Sequence, residues 1–157
     1  DHGKLLELIN ETIEKRDKAH AELVATWCEG EEINVNSHVQ VKKLLYEKLQ
    51  LSNRKNQSSD APTILNIAAT TGNRAPYLII AERRANKLLS NYHNTDILSR
   101  DGRVRFGFNL VGTFGARISS SAPLWGPGLN GQNLPKRRGA KIREMVVASP
   151  LYSLVEL

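Results

Sequence analysis

Residues 116–143 read ARISSSAPLWGPGLNGQNLPKRRGAKIR. An arginine stands beside three serines, an Asn-Gly-Gln-Asn-Leu-Pro turn follows, and a second basic cluster comes next. Arginine and side-chain amides can donate to the acceptors that every base pair presents in the minor groove. Serine hydroxyls and backbone N–H groups suit the phosphates beside them. The segment is typical of a protein that binds a polyanion, and the alternative is an ordinary surface loop whose Asn and Gln side chains stabilise turns.

The composition around this segment is that of one basic globular domain. The chain has 157 residues, 40% of them hydrophobic and 24% charged, with a formal net charge of +6. These values fit a soluble domain large enough to bury a core. Between residues 100 and 143, nine Lys or Arg residues stand against one acid, Asp101. The basic excess indicates an acidic partner, nucleic acid first and an anionic membrane surface second.

Other classes of protein are disfavoured by particular residues. The single cysteine, Cys28, rules out an internal disulfide and favours a reducing compartment, so we predict a cytoplasmic location. No apolar run approaches the ~18 residues of a membrane span. Of the two acidic partners we expect nucleic acid, and no membrane. The four histidines lack the spacing of metal ligands, and we predict no metal site.

The hydrophobic pattern predicts helices in the first 95 residues and strands and loops afterwards. Helices are expected over residues 4–27, 38–49, 63–70 and 76–92, with Ser37 as an N-cap and Gly30 ending the first helix. Residues 52–60 are polar, and Ser59 or Asp60 is expected to cap the helix that follows. Further along we expect a turn over 99–103, a structured loop over 119–139, and strands over 104–111, 142–148 and 152–155. The expected fold class is α+β.

Individual side chains are assigned from the same pattern. The expected apolar face of the first helix comprises Leu5, Leu8, Ile9, Thr12, Ile13, Ala19 and Leu23. The second helix is expected to bury Val39, Val41, Leu44, Leu45 and Leu49. The fourth should turn Leu78, Ile79, Ala81, Leu88 and Leu89 inward and Arg83, Arg84 and Lys87 outward. Trp27 and Trp125 are predicted to be packing residues rather than platforms for stacked bases.

The serine and amide motifs resemble the family A DNA polymerases, which include bacterial polymerase I and many phage replicases. In that family an Arg-hydrophobic-Ser-Ser segment leads to an Asn-Leu-Gln-Asn-Ile/Leu-Pro turn, then to a basic residue, a glycine and an Ile-Arg strand. The matching residues here are Arg117–Ser120, Asn130–Pro135, Lys136–Arg138, Gly139, Ile142 and Arg143. Gly131 replaces the usual leucine, and the spacer Ala122–Leu129 is longer and richer in Gly and Pro than in bacterial members.

The resemblance continues in the same order through nearly the whole chain. Ile33–Ser37 and the helix after it look like the base of the family's thumb, residues 54–63 like the thumb tip, and Glu82–Leu88 like the thumb helix that descends to the palm. The resemblance implies a thumb of long antiparallel helices over residues 1–95. Residues 96–157 would then be the N-terminal part of an antiparallel palm sheet, in a polymerase that we expect to be of phage type.

The resemblance also implies which residues bind primer–template DNA. The thumb tip would contact the duplex backbone, three side chains of the polar motif would contact minor-groove edges, and the basic cluster would neutralise phosphates. The expected DNA-binding residues are Lys55, Ser58, Ser59, Arg83, Lys87, Arg117, Ser119, Ser120, Asn130, Gln132, Asn133, Lys136, Arg137, Arg138 and Arg143. The minor-groove residues among them are Arg117, Gln132 and Asn133.

Catalysis in this family needs two divalent metal ions bound by a pair of carboxylates. The first carboxylate lies in an Asp-x-Ser-Gln-x-Glu motif just after the strand that residues 152–157 resemble. We therefore expect no catalytic residue and no bound metal in this chain, which would be inactive alone. The complete enzyme would use Mg²⁺, with the remaining palm and fingers in cis or on a second chain. The alternatives are a DNA-binding subunit of a naturally split polymerase and a non-catalytic DNA-binding remnant.

Overall fold

The computed structural model describes residues 2–51, 57–92, 98–110, 115, 117–134, 146–148 and 151–153. The chain divides into two compact units, Glu11–Lys87 and a second unit made of Asp1–Asn10 with Leu88–Leu157. The expected boundary between residues 95 and 96 lies outside the described residues. The division into a thumb and a palm therefore stays a prediction.

Helices dominate the first part of the chain and short strands follow, so the expected α+β class is confirmed. The helices are α1 (His2–Trp27), α2 (His38–Lys42), α3 (Ala61–Thr71) and α4 (Ala75–Asn91), with a π-helical turn over Lys43–Lys48 continuing α2. The strands are β1 (Gly107–Asn109) and β2 (Ser119–Ser121), followed by a 3₁₀ turn over Gly131–Asn133.

Helix α1 agrees with the sequence-based expectation. All seven residues of its expected apolar face are buried or half-buried. The helix ends where Glu29 and Gly30 adopt positive φ angles of 56° and 83°. The N–H of Gly30 donates to the carbonyl of Val24 at 3.1 Å, so one of the last carbonyls of the helix is satisfied.

The hydrophobic core of the Glu11–Lys87 unit is contributed by all four helices and the segment between α1 and α2. Its buried residues are Ala19, Leu23, Cys28, Val35, Val41, Leu44, Leu45, Ile64, Ala75, Leu78, Ile79 and Ile80. Trp27 packs against this core, as predicted. Ser37 is the N-cap of α2, as expected, with its side chain accepting from the N–H of Gln40.

Two of the predicted inward-facing residues in this unit are exposed. Val39 is 77% exposed, because it lies about 200° around the helix axis from the buried Val41. Ala81 is exposed on α4, whereas Ile80 and Glu82 beside it are buried. Arg83, predicted to face outward, is half-buried. Glu82 and Arg83 contact polar groups of distant segments, so the buried side of α4 includes them. The apolar pattern of the helix does not indicate such contacts.

The second unit contains a small antiparallel sheet in which Phe108 pairs with Ser120. The expected strand over 104–111 is regular only in Gly107–Asn109. The turn at residues 99–103 is confirmed, with the N–H of Gly102 donating to the carbonyl of Ser99 at 2.8 Å. The prediction of a loop over residues 119–121 is wrong. Backbone pairing with β1 makes these residues a strand despite their polar side chains.

A small apolar cluster and two short segments complete this unit. Leu5 is buried there, and the partly buried residues around it are Leu8, Ile9, Leu88, Tyr92, Leu98 and Leu134. The predicted strands over 142–148 and 152–155 are absent from the described residues 146–148 and 151–153. A strand needs a hydrogen-bonded neighbour, and the side chain of Tyr152 is 76% exposed.

Candidate nucleic-acid interface

The polar motif of the second unit is organised by hydrogen bonds around β2. The Asn130 side chain accepts from the N–H of Gln132 at 3.1 Å and so begins the 3₁₀ turn. The N–H of Gly131 donates to Ser120 Oγ at 3.0 Å. Ser120 is buried, and its own N–H donates to Gln132 Oε1 at 3.2 Å.

The carboxamide of Gln132 contacts the same strand twice. Its Nε2 donates to the carbonyl of Ile118 at 2.8 Å, while its Oε1 accepts from Ser120. The side chain therefore occupies one edge of β2 as the peptide group of a neighbouring strand would. One N–H and one lone pair of the amide remain for another partner.

The structure brings together three of the expected DNA-binding residues, Ser120, Asn130 and Gln132, at this strand edge. Ser119 is half-buried in β2, and Arg117 is exposed just before it. The side chain of Asn133 lies outside the described part of the structure, as do Lys55, Lys136, Arg137, Arg138 and Arg143. Their expected contacts stay predictions.

A second group of expected DNA-binding residues lies in the Glu11–Lys87 unit. Ser59 is 1% exposed, and its hydroxyl lies 2.6 Å from His38 Nδ1. The Ser59 carbonyl accepts from Arg83 Nη1 at 2.5 Å, and Arg83 Nε donates to the carbonyl of Val35 at 2.6 Å. Arg83 thus joins the segment before α2 to the segment before α3.

Burial lowers the pKa of the Arg83 guanidinium, and the buried Nη2 atom has no hydrogen-bond partner among the described residues. The carbonyl oxygens of residues 35 and 59 hold the side chain in place. Ser59 and Arg83 have a structural role here, so neither is included in the DNA contacts proposed below.

Ser58 and Lys87, two further expected DNA-binding residues, have different surroundings. The Ser58 carbonyl accepts from the Tyr46 hydroxyl at 2.6 Å, and Ser58 Oγ accepts from the N–H of Asp60 at 3.2 Å. Lys87 is exposed on α4. The roles of Tyr46 and His38 in holding residues 58 and 59 were missed by the sequence analysis, because no local pattern links residues 12 to 21 positions apart.

His20 forms a second polar centre that the sequence did not indicate. Its Nε2 lies 2.8 Å from Glu32 Oε2 and its Nδ1 lies 3.0 Å from Glu82 Oε2. The hydrogen bond with Glu32 is the largest cause that raises the pKa of His20, and Glu82 adds to the shift against the opposing effect of burial. The two carboxylates therefore stabilise the imidazolium relative to that of an isolated histidine.

Asp101 and Arg105 form a two-pronged ion pair in the turn before β1. Arg105 Nη1 and Nη2 lie 2.9 Å and 2.6 Å from the two carboxylate oxygens. This hydrogen-bonded pairing lowers the pKa of Asp101 to about 2. One cation of the basic stretch is thus partly neutralised within the turn.

Three of the described carboxylates are bound by basic side chains rather than open to a metal ion. Both oxygens of Asp101 face Arg105, and Glu32 and Glu82 face His20. In the described ranges, no group of three or more His, Cys, Asp or Glu side chains could hold a metal ion. Within the same ranges, no helix has both the length and the apolar character to cross a membrane.

The prediction that Trp125 is a packing residue is wrong. Its side chain is 92% exposed, and so is that of Leu124 beside it. Both stand in the Gly- and Pro-rich spacer between β2 and the 3₁₀ turn. A loop of this kind carries its side chains outward when no other element covers it.

The fold matches that of a known polymerase domain. The POL domain of Pol1 from M. smegmatis, solved in complex with DNA primer-template and dNTP, superimposes with a TM-score of 0.77. The match covers 98% of this chain and 27% of that chain, at 25% sequence identity. The α+β architecture of this chain is therefore similar to that of part of a polymerase domain.

The chain belongs to DNA polymerase family A, whose family model matches residues 3–157. DNA polymerase I of Helicobacter pylori (strain ATCC 700392 / 26695) is 34% identical over 125 residues, which are 76% of this chain. DNA polymerase I of Pseudomonas aeruginosa is 32% identical over 135 residues, or 80% of this chain. The chain spans 13% and 14% of the length of these two relatives.

Proposed function

We propose that this chain is the primer–template-binding part of a family A DNA polymerase, comprising its helical thumb and the N-terminal part of its palm. The complete enzyme would perform template-directed nucleotidyl transfer in DNA replication. Mg²⁺ would be held by carboxylates of the remaining palm, present in cis or on a second chain. The setting would be the cytoplasm, that of a bacterial host if the gene is carried by a phage.

The polar motif around β2 is the observation that carries this proposal. Gln132, Ser120 and Asn130 form hydrogen bonds with one another and with the backbone at Ile118 and Gly131, so side-chain hydrogen bonds join β2 to the 3₁₀ turn. Arg117 is exposed at the start of this segment. A fixed backbone that presents an arginine and an amide suits contacts to the minor groove, whose acceptors are common to all base pairs.

The proposed contacts divide into two classes. Arg117, with Gln132 and Asn133, would contact base edges near the primer terminus. Lys136, Arg137, Arg138 and Arg143 would neutralise phosphates, with Lys55 and Lys87 on the thumb side. The Ser58 hydroxyl would contact a phosphate by a hydrogen bond. Contacts of both classes tolerate any sequence, as replication requires.

Replacement of Arg117 by alanine tests the proposal. Loss of one good base-edge contact costs about 1–3 kcal/mol, so Arg117→Ala should weaken primer–template binding roughly 5- to 150-fold. Fluorescence anisotropy with a labelled primer–template measures the dissociation constant, and circular dichroism checks the fold of each variant.

Arg74→Ala is the matched control. Arg74 is an exposed arginine in an ion pair with Glu22 at 2.6 Å, outside the proposed contacts, and its loss lowers the net charge equally. We expect its effect to stay below about threefold, since one exposed ion pair contributes little. Equal affinities for both variants and the wild-type chain would remove Arg117 from the interface and leave the proposal without its main support.

A further inference from the structure

The loop between β2 and the 3₁₀ turn holds two large apolar side chains in solvent. Leu124 and Trp125 are each 92% exposed, which leaves nearly the whole indole in contact with water. Single apolar residues on a surface are common, but a fully exposed Trp beside an equally exposed Leu forms a compact apolar tip. We call residues 124–125 the apolar tip.

The base of this loop is closely packed. A Cβ added at Gly128 would lie 2.3 Å from both the Arg105 carbonyl oxygen and the Pro123 ring, so only glycine fits there. Pro123 also lies against Gly107, where a Cβ would come within 3.4 Å of its Cα. Leu129, just after the loop, is buried, and its N–H donates to the Arg105 carbonyl at 3.0 Å. The two ends of the loop are therefore held together. The four residues between Pro123 and Gly128 form a short exposed loop that carries the apolar tip.

The charge in the same unit favours an anionic partner for the tip. Residues 98–134 contain four arginines, at positions 100, 103, 105 and 117, and a single acid, Asp101. Clamping at the loop base lowers the conformational entropy lost when the tip binds. An exposed aromatic side chain in a unit with an excess of positive charge is a combination that proteins use to bind single-stranded nucleic acid, with bases stacked on the ring and the strand attracted by the charge.

We propose that the apolar tip is a stacking site for an unpaired base of single-stranded DNA, such as the template strand beyond the primer. The face of the Trp125 indole would take the base, and Leu124 would cover one edge of the stack. This inference rests on the proposed function, since it assumes that the chain binds DNA. It adds a single-strand site distinct from the minor-groove contacts of Arg117.

Intrinsic fluorescence gives a direct test, because the chain has two tryptophans. Trp27 packs against the core of the other unit, so Trp27→Phe leaves Trp125 as the sole indole reporter. Addition of a twelve-nucleotide oligo(dT) should quench the emission of Trp125. A blunt-ended DNA hairpin whose loop is a polyethylene glycol linker has no unpaired base and should quench it much less. Unchanged emission at saturating oligo(dT) would overturn base stacking and leave another polypeptide as the occupant of the tip.

A second test measures the affinity of the chain for fluorescently labelled DNA and does not need the Trp27→Phe substitution. Trp125→Ala should weaken oligo(dT) binding about 5- to 150-fold, the range for loss of one base–aromatic stack. Trp125→Phe keeps an aromatic face and should stay within about threefold of the wild-type chain, and the blunt hairpin should bind all three chains alike. Both substitutions are at an exposed position, so folding is not at risk.

The outcomes separate this inference from the proposed function. If Trp125→Ala binds oligo(dT) as the wild-type chain does, or loses affinity for hairpin and oligo(dT) equally, the stacking site is wrong while DNA binding stands. If the wild-type chain binds neither DNA, the proposed function fails and the stacking site fails with it.

Discussion

Single side chains in this protein replace backbone interactions that secondary structure usually supplies. Gln132 bonds to the N–H of Ser120 and the carbonyl of Ile118, and so occupies an edge of β2. Arg83 bonds to the carbonyls of residues 35 and 59, which lie in segments with no helical or strand partner. In both cases a residue type that is common at DNA interfaces first stabilises the chain's own backbone. Each of these hydrogen bonds contributes roughly 1 kcal/mol, or more where the group is charged.

His20 makes the stability of the Glu11–Lys87 unit depend on pH. Its folded-state pKa is raised above the ordinary 6.5 by Glu32 first and then by Glu82. The stabilisation is therefore fully present below the unfolded-state pKa and is lost as pH rises through the raised folded-state value. We expect His20→Gln to lower the free energy of unfolding more at pH 5.5 than at pH 8.5, as measured by urea denaturation.

An NMR titration of the His20 ring supplies the independent check on this prediction. The midpoint should lie above 6.5 in the wild-type chain and fall in Glu32→Gln, which removes the largest cause of the shift. A wild-type midpoint at or below 6.5 would contradict the ion pairing seen around His20.

At the scale of elements, caps and glycines explain where the helices begin and end. Ser37 begins α2 and Gly72 ends α3, with the N–H of Gly72 donating to the Ala68 carbonyl at 3.0 Å. Both were positions at which short local rules apply, since an N-cap needs a side-chain acceptor and an αL residue favours glycine. β2 follows no such rule, because three serines become a strand only through pairing with β1 and Gln132.

Gly72→Ala should destabilise the protein by about 1 kcal/mol, because φ at this position is +67° and an L-residue is strained there. A Cβ would meet no atom within 4 Å, so the backbone angle is the sole cause of the expected loss. Urea denaturation measures the change.

Gly115→Ala is the control for that substitution. Its added Cβ also meets open space, but φ there lies outside the left-handed region. That variant should be neutral or more stable by up to about 1 kcal/mol, since alanine restricts the unfolded chain. Equal losses at both positions would show that backbone strain at Gly72 is not the cause.

At the scale of the whole molecule, the number of phosphates that the basic side chains neutralise sets how binding depends on salt. The logarithm of the affinity falls linearly with the logarithm of the salt concentration, and each phosphate neutralised makes the slope steeper by about 0.9. Arg137→Gln, at a proposed phosphate contact, should reduce the steepness for primer–template binding by about 0.9. Arg117→Ala, at a proposed base edge, should weaken binding at every salt concentration with little change of slope.

Anisotropy titrations between 50 and 200 mM salt, a range over which the effect of several phosphate contacts is large, measure these slopes. Arg74→Gln removes the same charge from a position outside the proposed contacts and serves as the control. Identical slopes for Arg137→Gln and Arg74→Gln would contradict the assignment of the basic cluster to phosphates.

The sequence by itself determined the helices, the N-cap Ser37, the end of α1 at Gly30 and the polymerase family. Helical periodicity, Ser37, Gly30 and the Asn130–Pro135 motif are local signals, because each depends on residues within a few positions of one another. The tertiary structure alone decided whether Arg83, Ser59 and Trp125 are buried or exposed and which groups they contact. Their burial or exposure depends on which distant segments meet: Val35 and Ser59 enclose Arg83, His38 reaches Ser59, and no described element covers Trp125. Residue type and spacing cannot encode such encounters, because a half-buried arginine that donates to two carbonyls and an exposed arginine that binds a phosphate can have the same local sequence.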